Sequence, residues 1–222
     1  MKFIRTGIDP LDSILMGGFP VGSSTLLYGP SESGKTFISV NAACKLALLG
    51  YRTLYIDADK KFDPKLIEQL YPTKCEKIFD KIIIVRPKDF LSLSHILLYL
   101  PEFIEDDIKL IVLDTVSTLY RLNRNENKHF YFFEFAEKQI PALISLGVLY
   151  EAAVVLASQV EGFNGDIKPV AWNALEPYVK VVLRLERLSL DSRVRVATLE
   201  KYFDIKLNAK VFFEMEVNPW VY

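Results

Sequence analysis

The chain has 222 residues, half of them apolar and a quarter charged, enough to bury one sizeable core in one domain. Its formal net charge of −1 excludes the basic field of a protein that coats nucleic acid non-specifically, so any DNA contact must come from local patches. Cys44 and Cys75 alone make no disulfide framework, no apolar stretch approaches the ~18 residues of a membrane span, and Met1 to Pro10 lack a charged-then-apolar leader, so a soluble cytoplasmic protein is expected.

In chain order, Ser24 to Tyr28 predicts a short buried strand, followed by a glycine-containing loop and an apolar-periodic helix from about Lys35 to Leu49. Apolar runs bounded by turn residues follow at Thr53 to Asp57, Lys81 to Val85, Leu110 to Asp114 and Ala152 to Ser158, with helical patterns between them. That alternation predicts an α/β fold with a mostly parallel, doubly wound sheet. After Pro177 the pattern changes: Tyr178 to Arg187, Val194 to Lys201 and Val211 to Val217 lie too close together for intervening helices, which predicts antiparallel carboxyl-terminal strands. Leu122 to His129 and Glu161 to Trp172 break the alternation and read as loops.

The loop Gly29-Pro30-Ser31-Glu32-Ser33-Gly34-Lys35-Thr36 matches G-x-x-x-x-G-K-[ST] in its required setting between a strand and a helix. Backbone N–H groups of such a loop wrap a β-phosphate, the helix aims its positive end at it, Lys35 reaches the β- and γ-phosphates and Thr36 ligates Mg²⁺. ATP and Mg²⁺ are the expected cofactors.

Asp114, at the end of an apolar strand, suits the carboxylate behind the metal, against the alternative of an ordinary turn aspartate. Asp57 and Asp59 end another strand two residues apart; one could orient an attacking water, or both could cap the helix starting near Asp63-Pro64. Gln159 ends a further strand with an amide able to sense a γ-phosphate and move the following loop. His95 falls among Leu93, Ile96 and Leu97 and is expected to be a partly buried helix residue, and neither cysteine has zinc spacing.

With these motifs in place, the chain resembles the archaeal RadB-type recombinase paralogues of the RecA superfamily over essentially its whole length. The resemblance is carried by Thr6-Gly7-Ile8 with Gly17-Gly18, Tyr28-Gly29-Pro30, Tyr55-Ile56-Asp57 with Phe62 and Pro64, Val112 to Ser117 closed by Tyr120-Arg121, Gln159-Val160, Lys168-Pro169-Val170 and Arg195 to Lys201. It implies a RecA-like P-loop NTPase, one ATPase core over 1–222; the phosphate loop begins at Gly29, a departure from filament-forming recombinases that leaves no room in front for their helical DNA-binding domain, so none is expected. It further implies an accessory role in homologous recombination and repair, binding of single-stranded DNA, and association with the main recombinase or with further copies of itself.

Lys35, Asp59 and Gln159 become the expected catalytic residues, while Lys201 reads as a strand-end lysine in solvent to which the resemblance lends the alternative role of a cation presented to a neighbouring subunit. Arg121, Arg124, Lys128 and His129 in the first loop, with Phe163 and Lys168 in the second, become the expected DNA contacts. The resembling recombinases carry a glutamate where this chain has Asp59, whose carboxylate sits about one methylene short, so hydrolysis is expected to be weak. A KaiC-like regulatory ATPase, or an ATP-gated protein-binding module without DNA affinity, would share the same motifs.

Overall fold

The computed structural model describes residues 1–102, 104–118, 128–162, 167–189 and 192–215. A small amino-terminal ribbon of β1 (Phe3–Ile4) and β2 (Phe19–Pro20) brackets helix α1 (Asp9–Ile14). The strand–loop–helix unit follows as β3 (Ser24–Tyr28) and α2 (Lys35–Ala47). Next come β4 (Arg52–Asp57), α3 (Pro64–Leu70), α4 (Cys75–Phe79), β5 (Ile82–Val85), α5 (Phe90–Tyr99) and β6 (Ile108–Asp114). Helix α6 (Lys128–Phe133) runs through a π-helical stretch (Glu134–Gln139) into α7 (Ile140–Leu149), which leads to β7 (Ala153–Ser158).

Beyond β7, β8 (Val160–Glu161) pairs with β9 (Lys168–Pro169), and α8 (Trp172–Leu175) precedes β10 (Val181–Arg187), β11 (Val194–Tyr202) and β12 (Ile205–Glu214). Among the described residues, eight strands form one sheet in the order β12-β11-β10-β3-β7-β6-β4-β5. From β10 through β5 neighbouring strands are parallel, and β11 and β12 close the other side antiparallel.

The apolar runs lack alternation because the sheet is covered on both faces. Leu27, Tyr55, Val112 and Val155 project to one side and pack with Phe37, Ile38 and Leu46 of α2. Their chain neighbours Leu26, Leu54, Ile111 and Leu156 project to the other side and pack with Leu93 of α5 and Ile140 and Leu143 of α7. All of these side chains are essentially solvent-free, and each fully buried aliphatic stabilises the fold by roughly 1.5–3 kcal/mol. Parallel register then brings the carboxyl ends of the strands together: Tyr28 lies beside Ser158, Asp114 beside Ala157, and Asp57 beside Asp114.

Four expectations are corrected. The last strand begins at Ile205, well before Val211, because β12 is a sheet edge whose residues Lys206, Asn208 and Lys210 face solvent and dilute the apolar signal. The segment read as a loop through His129 is already helical at Lys128, its run of aromatics supplying the buried Phe135. The segment read as a loop from Glu161 to Trp172 contains regular structure, with Glu161 in β8 paired to Lys168 in β9 and Trp172 opening α8, while residues 163–166 lie outside the described residues; Pro169 sits in a two-stranded ribbon that tolerates a missing donor. His95 is exposed on α5 rather than partly buried.

Cys44 is buried and Cys75 half-buried, and both are free thiols. Among the described residues no helix is long and apolar enough to cross a membrane, and no cluster of metal-ligating side chains occurs.

Candidate nucleotide site

The phosphate loop spans the gap between the end of β3 and the start of α2. Gly29 is pressed against β10: a Cβ there would stand 2.1 Å from the Leu185 carbonyl oxygen and 2.7 Å from Ser33 Oγ, so no side chain fits. Gly34 caps α2 with φ +103°, a left-handed conformation that glycine adopts without strain. No side chain caps the amino end of α2 and no acidic residue stands in its first turn, which leaves its N–H groups and positive dipole end open to an anion. Pro30, Ser31 and Glu32 form the exposed crest of the loop, while Ser33, Gly34 and Lys35 are buried.

The Lys35 ammonium is folded under this crest. Nζ donates to the Gly29 carbonyl at 2.8 Å, the Pro30 carbonyl at 2.7 Å and Ser33 Oγ at 3.3 Å. Burial lowers its pKa from 10.5 to about 8, against the pull of Asp114 and Asp59. A cation held by neutral carbonyls in a dry site gains from any anion that reaches it.

Asp114 lies beside the loop, as β3, β7 and β6 are neighbours. Thr36 Oγ1 and Tyr55 OH each donate to its Oδ2 at 2.7 Å. The carboxyl is 4 % exposed, and burial raises its pKa against the opposing effect of these two hydrogen bonds. Oδ1 is buried without a partner among the described residues. A buried acceptor left unsatisfied costs about 1–3 kcal/mol, so such an atom calls for a bound species. A threonine hydroxyl, a carboxylate with a free oxygen, a lysine ammonium and a ring of backbone N–H groups suit Mg²⁺ and a polyphosphate, which take hard oxygen donors and hydrogen-bond donors respectively.

The two carboxylates at the end of β4 diverge, although the spacing allows them one role. Asp57 is 1 % exposed, accepts from the Lys61 and Phe62 N–H groups and pairs with Arg86 Nε at 2.9 Å, so it holds the turn after β4. Asp59 turns towards the site, accepting from Thr115 Oγ1 at 3.0 Å and facing Lys61 Nζ at 3.4 Å. The capping of α3 falls to Asp63, whose side chain accepts from the Lys65 N–H.

Gln159 follows β7, and its backbone joins three segments. Its N–H donates to Ser117 Oγ at 2.6 Å, and its carbonyl accepts from the Val170 N–H at 2.9 Å. The segment after β6 and the ribbon after β7 thus meet at Gln159. Lys168 is exposed on β9, while Arg121, Arg124, Phe163 and the side chain of Lys128 lie outside the described residues. Lys201 donates to the Val179 carbonyl of its own chain at 2.9 Å, a contact that turns it inward.

A family model described as Rad51 matches residues 1–182. The chain belongs to the Rad51 family. It is similar to proteins named "DNA repair and recombination protein RadB". That of Methanobrevibacter smithii is 30% identical over 213 residues, covering 92% of this chain and 90% of the relative. That of Thermococcus kodakarensis is 29% identical over 204 residues, covering 90% of each. A solved structure titled "Crystal structure of the RadB recombinase" superposes with a TM-score of 0.81 at 27% identity, over 96% of each chain. The RecA-like core that the motifs imply is therefore the fold of this Rad51-family chain, and nucleotide binding with Mg²⁺ is the chemistry of such cores.

Three residues of this Rad51-family chain take part in the site in ways that a sequence reading does not assign. Tyr55 reads as one more apolar strand residue, yet its hydroxyl reaches Asp114. Arg187 pairs with Glu32 at 2.6 Å, and Arg195, 1 % exposed, donates through Nε to the Glu32 carbonyl at 3.1 Å. The crest of the phosphate loop is thereby clamped by two strands far along the chain, at separations of 155 and 163 positions. The hint in sequence is a charged residue between two β-branched apolar ones, Arg195 between Val194 and Val196.

Proposed function

We propose that this protein is an ATP-binding recombinase paralogue that serves homologous recombination and DNA repair as an accessory factor, acting as a single RecA-like domain over 1–222. The observation that carries the reading is the juxtaposition of the Gly29-to-Thr36 loop with a buried Asp114 whose Oδ1 lacks a partner among the described residues. Membership in the Rad51 family and similarity to proteins named for repair and recombination support the biological role.

In this reading the backbone of Gly29, Pro30, Ser31, Glu32, Ser33 and Gly34 cradles the phosphates, Lys35 neutralises them, and Thr36 and Asp114 hold Mg²⁺. The metal and triphosphate supply an activated phosphoryl group when bound. Asp59 would orient water, and Gln159 would couple nucleotide to the ribbon after β7 through its backbone ties to Ser117 and Val170. Single-stranded DNA is the proposed ligand of Arg121, Arg124, Lys128, Phe163 and Lys168, and the main recombinase, or further copies of the chain, the proposed protein partner.

A second reading is favoured by Asp59, a short carboxylate engaged by Thr115 and Lys61: an ATP-gated binding module that hardly turns over. The deciding experiment measures single-stranded DNA binding at low and moderate salt, with and without a non-hydrolysable ATP analogue, in wild type and Lys35→Ala. Salt-sensitive binding that responds to nucleotide only in wild type is expected. Absence of DNA binding under every condition refutes the recombination reading in favour of a protein-binding module or KaiC-like regulator.

A further inference from the structure

Both hydrogen bonds to the Asp114 carboxylate land on one oxygen. Thr36 Oγ1 and Tyr55 OH each donate to Oδ2 at 2.7 Å, while Oδ1 is buried with no partner among the described residues. A carboxylate has about four lone-pair sites, so two donors on the same oxygen hold its rotation and reserve the other oxygen.

The two donors differ in what else they must do. Thr36 has one proton and two lone pairs, and in the nucleotide reading its oxygen also serves the metal. The Tyr55 hydroxyl has no such second duty. Its ring is fully buried, lies on β4 opposite Val112 of β6, and meets Phe62 edge-on with centroids 4.9 Å apart. A hydroxyl on a ring packed in this way cannot follow a moving partner, so it fixes the partner instead. An apolar phenylalanine would fill the same volume, and the oxygen is the part of Tyr55 that the core does not require.

We infer that Tyr55 is a positioning residue for the divalent cation: its hydroxyl fixes Oδ2 of Asp114 and so leaves Oδ1 to the water shell of the metal. The inference rests on the nucleotide reading above. Residues that orient a metal's partners in this manner typically change metal affinity by about 10- to 100-fold when lost.

The test compares wild type and Tyr55→Phe by titrating Mg²⁺ into protein mixed with a fluorescent ATP analogue, beside a titration of the analogue in EDTA. The half-saturating Mg²⁺ concentration is expected to rise about tenfold or more in Tyr55→Phe, with metal-free affinity unchanged. Tyr55→Phe that folds and keeps the wild-type Mg²⁺ dependence overturns the inference, as does an equal loss of affinity with and without metal.

A second measurement needs no substitution. In wild type labelled with ¹³Cζ-tyrosine, Mg²⁺ added to the ADP-bound protein is expected to shift the Tyr55 resonance, and an unmoved resonance overturns the assignment even where Tyr55→Phe fails to fold. Wild type that binds no ATP overturns the nucleotide reading and this inference together, whereas an unshifted Tyr55→Phe beside a normal wild type overturns this inference alone.

Discussion

Burial lowers the pKa of the Lys35 ammonium to about 8, below its ordinary 10.5, against the pull of Asp114 and Asp59, while its direct hydrogen-bond partners are two carbonyls and a serine hydroxyl. A triphosphate placed against Nζ restores the charged form, so nucleotide binding must draw a proton from solvent wherever the free protein is partly deprotonated. At pH 8 about half of the protein carries a neutral Lys35, and uptake approaches about 0.5 proton per ATP; at pH 7 it falls to about 0.1. Calorimetric titration of Mg²⁺-ATP in two buffers of different ionisation enthalpy reads this number directly. Lys35→Arg keeps the charge and cannot take up the proton, so its uptake should vanish.

Stability follows the same linkage with a definite sign. The unfolded chain binds the proton more tightly than the folded one, so wild-type stability rises between about pH 8 and pH 10.5, by about 3 kcal/mol relative to Lys35→Met across the window. Buffer-independent binding heats at pH 8, together with parallel pH profiles for wild type and Lys35→Met, would refute the argument that burial outweighs the pull of Asp114 and Asp59 on this lysine.

Gly29→Ala forces a methyl group to within 2.1 Å of the Leu185 carbonyl and should cost about 1–3 kcal/mol, seen as a fall in melting temperature of roughly 2–4 °C per kcal/mol with loss of ATP binding. Arg195→Ala should destabilise by about 2–4 kcal/mol in urea unfolding, since it removes a buried side chain and the donors to the Glu32 and Ser192 carbonyls, whereas Arg187→Ala, which removes a partly exposed pair, should cost less than about 1 kcal/mol. Asp57→Asn should lower stability through Arg86 and the Phe62 turn while leaving nucleotide affinity near wild type, a separation that the Asp57–Asp59 spacing alone does not give. Asp59→Glu should raise ATP turnover by restoring the missing methylene, measured by phosphate release.

The parts of this protein legible in sequence are those whose physics is local. Eight consecutive residues make the phosphate loop, and Asp114 announces itself as a charge ending the run Leu110 to Leu113. The parallel strands are legible because two-sided burial writes an uninterrupted apolar run, as in β7 from Ala153 to Ala157. The remainder depends on distant partners or on weak local contrast. Arg187 and Arg195 gain their meaning from Glu32, far away in the chain, and Tyr55 hides its hydroxyl among strand residues that look like core. The first half of β12 is an exposed edge, where Lys206, Asn208 and Lys210 resemble a loop, and the β8–β9 ribbon is too short to register beside Gly162 and Pro169.

The Arg195 half of the clamp on Glu32 ties the most local motif of the chain to the β11–β12 hairpin. Strands β11 and β12 form one antiparallel pair, with Val194 opposite Glu214 and Phe213 opposite Arg195, and Phe213 and Met215 pack within 4 Å of the space beside Gly34. Fraying of that hairpin therefore removes the Arg195 tie and leaves the crest of the phosphate loop with only the Arg187 half of the clamp, from β10, so amide exchange should quicken in the hairpin and the crest together. A ligand held by the loop then protects amides of a hairpin it never touches, and damage to the hairpin empties a site formed near the other end of the chain.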